Sequence, residues 1–175
     1  MFTAFFNFVA ITDNNNIKSA DEFLKIYSGA TFLNGLYRIH NSNEVVKWNE
    51  IVGKSFPPHF GKINVFGFDW LGRNFAFDIT TGGLLLFEPG TGEVLDIPAE
   101  FIEFHNVLMP KYPQDCLASD FFYKWLEVNE NIVLPHNKCV GYKVPLFLNG
   151  KDTVENLELS DMEVYWEILM PLMGL

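Results

Sequence analysis

A region of two-residue hydrophobic periodicity between residues 63 and 97 restricts the fold of this chain more than any other feature. Apolar and polar side chains partly alternate at 74–79, whereas 84–87 is apolar throughout, which is typical of a strand covered on both faces. Residues 89–92 (Pro-Gly-Thr-Gly) have the composition of a hairpin turn, and 93–97 supplies the returning strand. We therefore predict an antiparallel meander of about three or four strands.

Helical signals lie before and after this region. Ser19 and Glu22 form a capping box, in which side-chain oxygens accept hydrogen bonds from free N–H groups at a helix start. Further helices are predicted at 41–53, at 99–108 with Pro110 closing it, at 119–128, and at 161–173 with Ser160 as its cap, and a further strand at 139–147. Because helices lie toward both ends and antiparallel strands lie in the middle, the predicted fold class is α+β: a central antiparallel β-meander with helices in the N-terminal and C-terminal parts.

Length and composition favour one domain. A chain of 175 residues matches a single domain over 1–175, and 49% hydrophobic with 19% charged residues excludes general disorder. Pro57-Pro58 is a weak boundary, and it gives the alternative division into 1–58 and 59–175. The apolar segment 1–11 has no basic residue and only about half the length of a membrane span, so we expect a strand or helix on the core rather than a signal peptide.

The two cysteines point to a reducing compartment. Cys116 and Cys139 belong to no CxxC pair, and two buried thiols are favoured over a single bridge between them. No stretch of the sequence approaches 18 apolar residues, the length at which a membrane helix is expected. We therefore expect a soluble cytoplasmic protein.

The charge distribution restricts the kind of partner. Twenty-two acidic residues against 12 Lys and Arg give a formal charge of −10, which disfavours binding to nucleic acid phosphates and favours a basic partner. Between Asn74 and Pro110 there is no Lys or Arg. We expect the carboxylates of this interval to share one outer surface, either as a docking face or as a face that only confers solubility. They are Asp78, Glu88, Glu93, Asp96, Glu100 and Glu103.

Sequence motifs for catalysis or metal binding are sparse. His136 and Cys139 offer two ligands where a tetrahedral metal site needs four, and the alternative is a turn histidine beside a buried cysteine. His105 is expected to form a hydrogen bond at the surface of its helix. Asp69 and Asp78 could cap a turn, or they could face each other in the pocket of a ligand-binding or hydrolytic domain. We predict no catalytic residue, no cofactor and no metal, and a protein that is not an enzyme.

An ordered series of sequence blocks resembles a bacterial family. Residues 32–39 (FLNGLYRI) resemble the end of a GAD-like module. The following blocks resemble the C-terminal domain of type VI secretion immunity proteins that protect against DNase effectors. Those blocks are 66–73 (FGFDWLGR), 75–78 (FAFD), 86–94 (LFEPGTGEV), 139–145 (CVGYKVP), 149–150 (NG) and 154–157 (VENL). The resemblance extends from about Ile17 to Gly174, although only about 60 residues precede the meander, which is short for a two-module pattern.

The resemblance implies a fold and a function. It implies an α+β protein of the wider SUKH-like immunity class, an antitoxin that binds and neutralises a cognate toxin, here a nuclease effector of a type VI or related system. The alternative is an intracellular regulatory or scaffold module of the same fold that binds a host protein. The expected partner is in either case a protein, with no direct binding to nucleic acid or membrane.

Candidate partner-binding residues combine exposed charge with aromatic side chains near the meander turns. Rim charges mainly raise the association rate, whereas aromatic anchors slow release. Trp70 could instead be packed on the core, and Arg73 could simply pair with Asp69 or Asp78. The candidates are Asp69, Trp70, Arg73, Glu88, Glu93, Asp96, Glu100 and Glu103.

Overall fold

A computed structural model describes residues 1–12 and 16–173 of the chain. A six-stranded antiparallel sheet forms its centre, and its strands follow one another in chain order. They are β1 (Thr31–Phe32), β2 (Tyr37–Ile39), β3 (Ile63–Asp69), β4 (Asn74–Asp78), β5 (Leu84–Glu88) and β6 (Glu93–Ile97). The predicted α+β fold with a central meander is confirmed, and the sheet is larger than expected because β1 and β2 extend it.

The remaining elements surround this sheet. A second, two-stranded antiparallel sheet consists of β7 (Lys138–Tyr142) and β8 (Leu157–Asp161). The helices are α1 (Thr3–Phe8), α2 (Ala20–Ile26), α3 (Val45–Ser55), α4 (Phe101–Glu103), α5 (Met109–Lys111), α6 (Pro113–Leu117), α7 (Ser119–Val128) and α8 (Met162–Leu169). Short 3-10 turns occur at Leu33–Gly35, Pro57–His59, Leu146–Leu148, Val154–Asn156 and Met170–Leu172, and a π-helical turn at Phe104–Leu108. Within the described residues, none of the helices is long and apolar enough to cross a membrane.

The central sheet separates two hydrophobic clusters. Leu84 and Leu86 belong to the larger one, which contains many phenylalanines from α1, α2 and the segment 101–111. Leu85 and Phe87 point to the opposite face, where side chains of α3 and α8 pack. All four of these β5 side chains are buried, so the prediction that this apolar strand is covered on both faces is confirmed.

Two strands on either side of residue 58 pair directly. Tyr37 of β2 lies opposite Asp69 of β3, and Ile39 lies opposite Gly67. The sheet therefore includes residues from both sides of the division that Pro57-Pro58 suggested. Arg38 of β2 is fully buried and donates hydrogen bonds to the carbonyl oxygens of Pro135 and Asp69, which ties the chain before β7 to this sheet.

The predicted start of α2 is confirmed at the level of its hydrogen bonds. Ser19 Oγ accepts a hydrogen bond from the backbone N–H of Glu22 at 3.2 Å. The Glu22 carboxylate accepts one from the backbone N–H of Lys18 at 2.8 Å. The first bond satisfies an N–H group that the first turn of a helix leaves without a partner. The second reaches the residue before the N-cap Ser19, one position earlier than in the usual capping box.

The predicted end of the helix at 99–108 is wrong, because the helical segment continues to Lys111. The π-helical turn Phe104–Leu108 runs directly into α5, which contains Pro110, so the segment continues through a residue that has no N–H to donate. The helical bond from Tyr112 N to Leu108 O, 2.8 Å long, continues the segment past the proline.

His105 lies in this π-helical turn, and the prediction that it is at the surface is wrong. Its side chain is fully buried, with Nδ1 donating to Phe101 O at 2.8 Å and Nε2 accepting from Tyr37 Oη at 2.9 Å. Burial lowers the pKa of His105 to about 3, so the ring is neutral at physiological pH. It therefore acts as a polar member of the aromatic core.

The C-terminal elements differ from prediction in two ways. Residue Ser160 does not cap the last helix; it lies in β8, a strand the sequence did not predict. Asp161 is the cap, since its Oδ1 accepts from the backbone N–H groups of Glu163 and Val164 at 3.2 and 3.3 Å. The strand predicted at 139–147 is limited to Lys138–Tyr142, and Gly174, where the family resemblance ends, lies outside the described residues.

Candidate functional site

Three of the predicted site residues form a closed ionic network at the turn between β3 and β4. Asp69 Oδ1 accepts hydrogen bonds from the backbone N–H groups of Leu71 and Arg73, which fixes the turn. Arg73 Nε donates to Asp69 Oδ2 at 2.6 Å, and Arg73 Nη1 donates to Glu88 Oε1 at 2.7 Å. The side chains of Asp69, Arg73 and Glu88 are 0%, 11% and 14% exposed. Arg73 therefore pairs with two carboxylates in a nearly closed environment.

The pKa values in this network follow from burial and mutual attraction. Although burial alone would lower the pKa of Arg73, the carboxylates of Asp69 and Glu88 raise it above its ordinary value. Burial raises the pKa of Asp69, and the charge and hydrogen bonds of Arg73 oppose that shift. The guanidinium group thus stays protonated, and its single positive charge is shared between the two carboxylates beside it.

Trp70 lies in the core, which was the alternative to a docking role that the sequence left open. Its side chain is 0% exposed, and its Nε1 donates a hydrogen bond to Leu117 O at 2.9 Å. The rings of Phe121 and Phe122 pack on it at centroid distances of 5.5 and 5.2 Å. Asp69, Trp70, Arg73 and Glu88 therefore offer little surface to a partner, and we do not retain these four as docking residues.

The other four predicted residues lie at the surface. Glu93 and Asp96 are on β6, the last strand of the sheet, and Glu100 and Glu103 follow at the start of the segment 101–111. All four are exposed. Among the residues that the structure describes, none of these four takes part in an ion pair. Their role in binding a partner remains a prediction, but their charge is unpaired and accessible.

Two cavities lie beside α6. One, of about 240 Å³, is lined by polar and apolar side chains in similar measure, among them Arg73, Glu88, Phe121 and Leu146. The other, of about 260 Å³, is a groove between β6 and the segment 101–111, with Leu95 and Tyr112 on its opposite walls. We call this second cavity the β6 groove.

Sequence reasoning missed the β6 groove, although one signal pointed to it. The strand 93–97 reads Glu-Val-Leu-Asp-Ile, in which adjacent apolar residues break the alternation expected of a strand with one solvent face. At least one apolar side chain must then be exposed if the strand lies at an edge. Leu95 is that residue, with 44% of its surface exposed.

The proposed carboxylate pair of Asp69 and Asp78 is not formed. Asp78 lies opposite Ile63 at the start of β3, whereas Asp69 ends the same strand, so they are about 20 Å apart at 3.3 Å per residue. Asp78 Oδ1 accepts from the backbone N–H of Thr80 at 2.8 Å, and the hydrogen bonds from Thr80 lower its pKa to about 2. Both residues cap turns, which was the alternative interpretation.

His136 and Cys139, considered above as possible metal ligands, have other roles in the structure. His136 Nε2 donates to the backbone oxygen of Ile39 at 3.0 Å. Cys139 is a buried free thiol whose pKa burial raises to about 12, and Cys116 is a half-buried free thiol. In 1–12 and 16–173, no group of three His, Cys, Asp or Glu side chains is arranged to hold a metal ion.

Comparison with known proteins gives two similarities. The solved structure described as "Crystal structure of Atu4351 from Agrobacterium tumefaciens" superposes with a TM-score of 0.64 at 16% sequence identity, over 97% of this chain and 88% of that one. At this identity the likeness shows a shared fold. No curated protein matches the chain. The family model described as "T6SS immunity protein Tdi1, C-terminal" matches residues 113–173, the part that contains α6, α7, β7, β8 and α8. The C-terminal third of the chain is thus similar to the C-terminal domain of a type VI secretion immunity protein. This match confirms the resemblance over the sequence blocks between 139 and 157, whereas the blocks between 32 and 94 lie outside it.

Proposed function

We propose that this protein is an immunity protein that binds a type VI secretion effector and blocks its action by covering a working surface. The observation that carries the proposal is the match of residues 113–173 to the C-terminal domain of the immunity protein Tdi1. The protein fits this role as a binding module. The carboxylates and histidines that could suggest catalysis, Asp69, Asp78 and His105, are held by internal hydrogen bonds.

The finer part of the proposal is that the effector is a nuclease with a basic surface. An enzyme that binds nucleic acid presents Lys and Arg to the phosphates. Four exposed carboxylates on one sheet edge and the helix that follows it, with no Lys or Arg anywhere between residues 74 and 110, are complementary to such a surface. Their field would accelerate the encounter and orient the partner.

An inhibitor that acts by occlusion needs a large contact area with its target and no catalytic residues of its own. A standard protein interface buries about 800 Å² on each partner, which is enough to exclude a nucleic acid strand from a binding cleft. The unpaired charge of Glu93, Asp96, Glu100 and Glu103 supplies the attraction over distance. Apolar side chains beside them would supply the slow dissociation that protection of a cell requires.

The test is co-expression with the effector encoded beside this gene. We expect the protein to restore growth of a host that produces the effector, to co-purify with it, and to suppress its cleavage of DNA in a purified assay. An unrelated nuclease is the control and should remain active. Absence of both rescue and co-purification would overturn the immunity function. Rescue from an effector that cleaves no nucleic acid would overturn only the nuclease target, and capture of a host protein instead would favour a regulatory module.

A further inference from the structure

Strand β6 is an open edge of the six-stranded sheet. In the described residues it pairs with β5 alone, in a register that continues without a bulge from Glu88–Glu93 to Leu84–Ile97. Alternate residues of such a strand direct their backbone N–H and C=O groups away from the sheet. Edges are commonly protected by Lys, Pro or a bulge, and β6 contains none of these within its five residues. It can therefore accept another strand.

The β6 groove lies directly beside this edge. Leu95 and Ile97 of β6 form one wall, and Phe104, Leu108 and Tyr112, spaced four residues apart along the helical segment, form the other. Leu95 and Tyr112 are 44% and 42% exposed. Its volume of about 260 Å³ is below the roughly 300–1,000 Å³ of a typical small-molecule site, which favours one or two side chains of a peptide as the occupant.

The charges around the groove indicate which peptide fits. Asp115 contributes to its lining, and Glu93 is exposed on the same face of β6 as Leu95. Asp96 borders the groove, but its side chain lies on the opposite face of the strand, together with Leu85 of β5. Glu100 and Glu103 are exposed nearby. The adjacent cation, Lys111, lies over the ring of Tyr112 at 4.9 Å. An occupant with Lys or Arg beside an apolar side chain complements this arrangement.

A second copy of the same chain is a poor occupant by the same reasoning. Pairing β6 with itself would bring the Glu93 and Asp96 carboxylates of two copies onto one short strand pair, and some registers would place Glu93 directly opposite Asp96. Each copy also has a formal charge of −10. Opposed like charges across a strand pair are destabilising. The acidic residues therefore protect the edge against self-association while leaving it open to a basic segment.

We propose that β6 binds an extended segment of the effector as an added strand, with an apolar side chain of that segment in the β6 groove and flanking Lys or Arg residues beside Asp115 and the exposed carboxylates of β6. This inference rests on the proposed function, since the effector is the partner. In strand addition, backbone hydrogen bonds supply affinity and the pocket for alternate side chains supplies specificity. The effector need not present a preformed strand.

Two matched leucines allow a direct test with the purified effector encoded beside this gene. Leu95 is central in β6 and 44% exposed, and Leu159 is central in β8, another five-residue strand, and 46% exposed. We expect Leu95→Arg to weaken binding by at least about 30-fold, because the longer side chain obstructs the groove and its charge repels the Lys or Arg residues of the bound segment. Leu159→Arg should change it by less than about 2-fold. The milder Leu95→Ala, expected to cost about 5-fold, guards against misfolding of the arginine variant.

Amide hydrogen exchange of the unmodified protein gives a second readout. In the complex, amides of 93–97 should exchange at least about 10-fold more slowly than in the free protein, and those of 157–161 should be unchanged. Equal binding by all variants, or protection of β8 instead of β6, would overturn the inference and leave the immunity function standing. If the unmodified protein does not bind the effector, the proposed function and this inference both fail. If the free protein is a dimer and Leu95→Arg dissociates it, then β6 binds a second copy of the chain. That result would also overturn the inference.

Discussion

Two groups of acidic residues that are close in sequence have opposite environments in this fold. Asp69 and Glu88 share the guanidinium of Arg73 in a network that is almost closed to solvent. Glu93, Asp96, Glu100 and Glu103 are exposed and, among the described residues, have no cation in ion-pair contact. Glu88 and Glu93 are direct partners across β5 and β6, so the boundary between the groups falls between two facing residues.

The difference shows why a count of carboxylates does not define a docking surface. A charge that is buried and paired contributes to the fold, and its hydrogen bonds and counter-charge leave it less able to attract a partner. A charge that is exposed and unpaired contributes little to stability but acts on an approaching molecule. The interior network and the acidic edge should therefore respond to mutation in different assays, stability in one case and binding in the other.

The largest expected effect is the loss of the interior cation. Arg73→Met would leave the carboxylate of Asp69 buried without a counter-charge and Glu88 opposite Glu93 without neutralisation. Removing one partner of a buried ion pair costs about 3–5 kcal/mol. Unfolding in urea, followed by circular dichroism, should show this loss.

The control for Arg73→Met is a variant that removes a cation at the surface. Lys54 pairs with Glu50, and both side chains are more than half exposed, at 57% and 60%. Lys54→Met should cost less than about 0.5 kcal/mol, because exposed pairs contribute little. If the two variants lost similar amounts of free energy of unfolding, the buried network of Arg73 would stabilise the fold no more than an exposed ion pair does.

The second prediction concerns two histidines that, like the network of Arg73, are buried in the interior. Burial lowers the pKa of both His40 and His105 to about 3, from 6.5 in an unfolded chain. Between these values the unfolded state binds more protons than the folded state, so the free energy of unfolding rises with pH and falls on acidification. From pH 7 to pH 5 each histidine should remove about 2 kcal/mol of stability.

Urea unfolding at pH 7, 6 and 5 measures this slope. Asp78 does not contribute in this window, since its lowered pKa of about 2 affects stability only at more acidic pH. A stability that is unchanged between pH 7 and pH 5 would contradict neutral burial of the two rings.

The sequence predicted the parts of the fold that depend on local patterns. The meander, the apolar strand β5 and the capping box of Ser19 each follow from residues within a few positions of one another. The burial of His105 does not, because its partner Tyr37 is 68 residues away and the π-helical turn that orients it has no sequence signature. The same holds for β8, whose pairing with β7 is set by the tertiary structure.

The candidate site was predictable only in part for a related reason. The exposed position of Asp96 follows from a strand at the end of a meander, which the sequence could indicate. The burial of Trp70 depends on Leu117 and on the rings of α7, which are distant in the chain. The pairing of Arg73 with Glu88 depends on how β5 aligns with the turn after β3. Charge and aromatic content are visible in a sequence, whereas their accessibility is decided by contacts between remote segments.

The third prediction tests the exposed carboxylates of β6 and the segment that follows it. Replacing Glu93, Asp96 and Glu100 together with Lys should slow association with a basic effector by about 10-fold at low salt, since electrostatic steering is screened as ionic strength rises. Folding stability should remain nearly unchanged. Stopped-flow or biosensor association rates at low and high salt would measure this. An association rate that is unchanged at low salt would show that docking occurs elsewhere, and a large loss of stability would contradict the separation of the two groups.

The smallest expected effect lies where the two groups meet, at the facing pair Glu88 and Glu93. Like charges directly opposite in a sheet destabilise it by roughly 0.2–1 kcal/mol, but Arg73 compensates Glu88 at 2.7 Å. Glu93→Gln should therefore stabilise the protein by only about 0.3 kcal/mol, and by about 1 kcal/mol in the Arg73→Met background, where Glu88 is no longer neutralised. A double-mutant cycle measured by urea unfolding gives this coupling directly. Equal effects in both backgrounds would mean that Arg73 does not shield the edge strand from the interior carboxylate, and that the acidic edge is electrostatically independent of the network behind it.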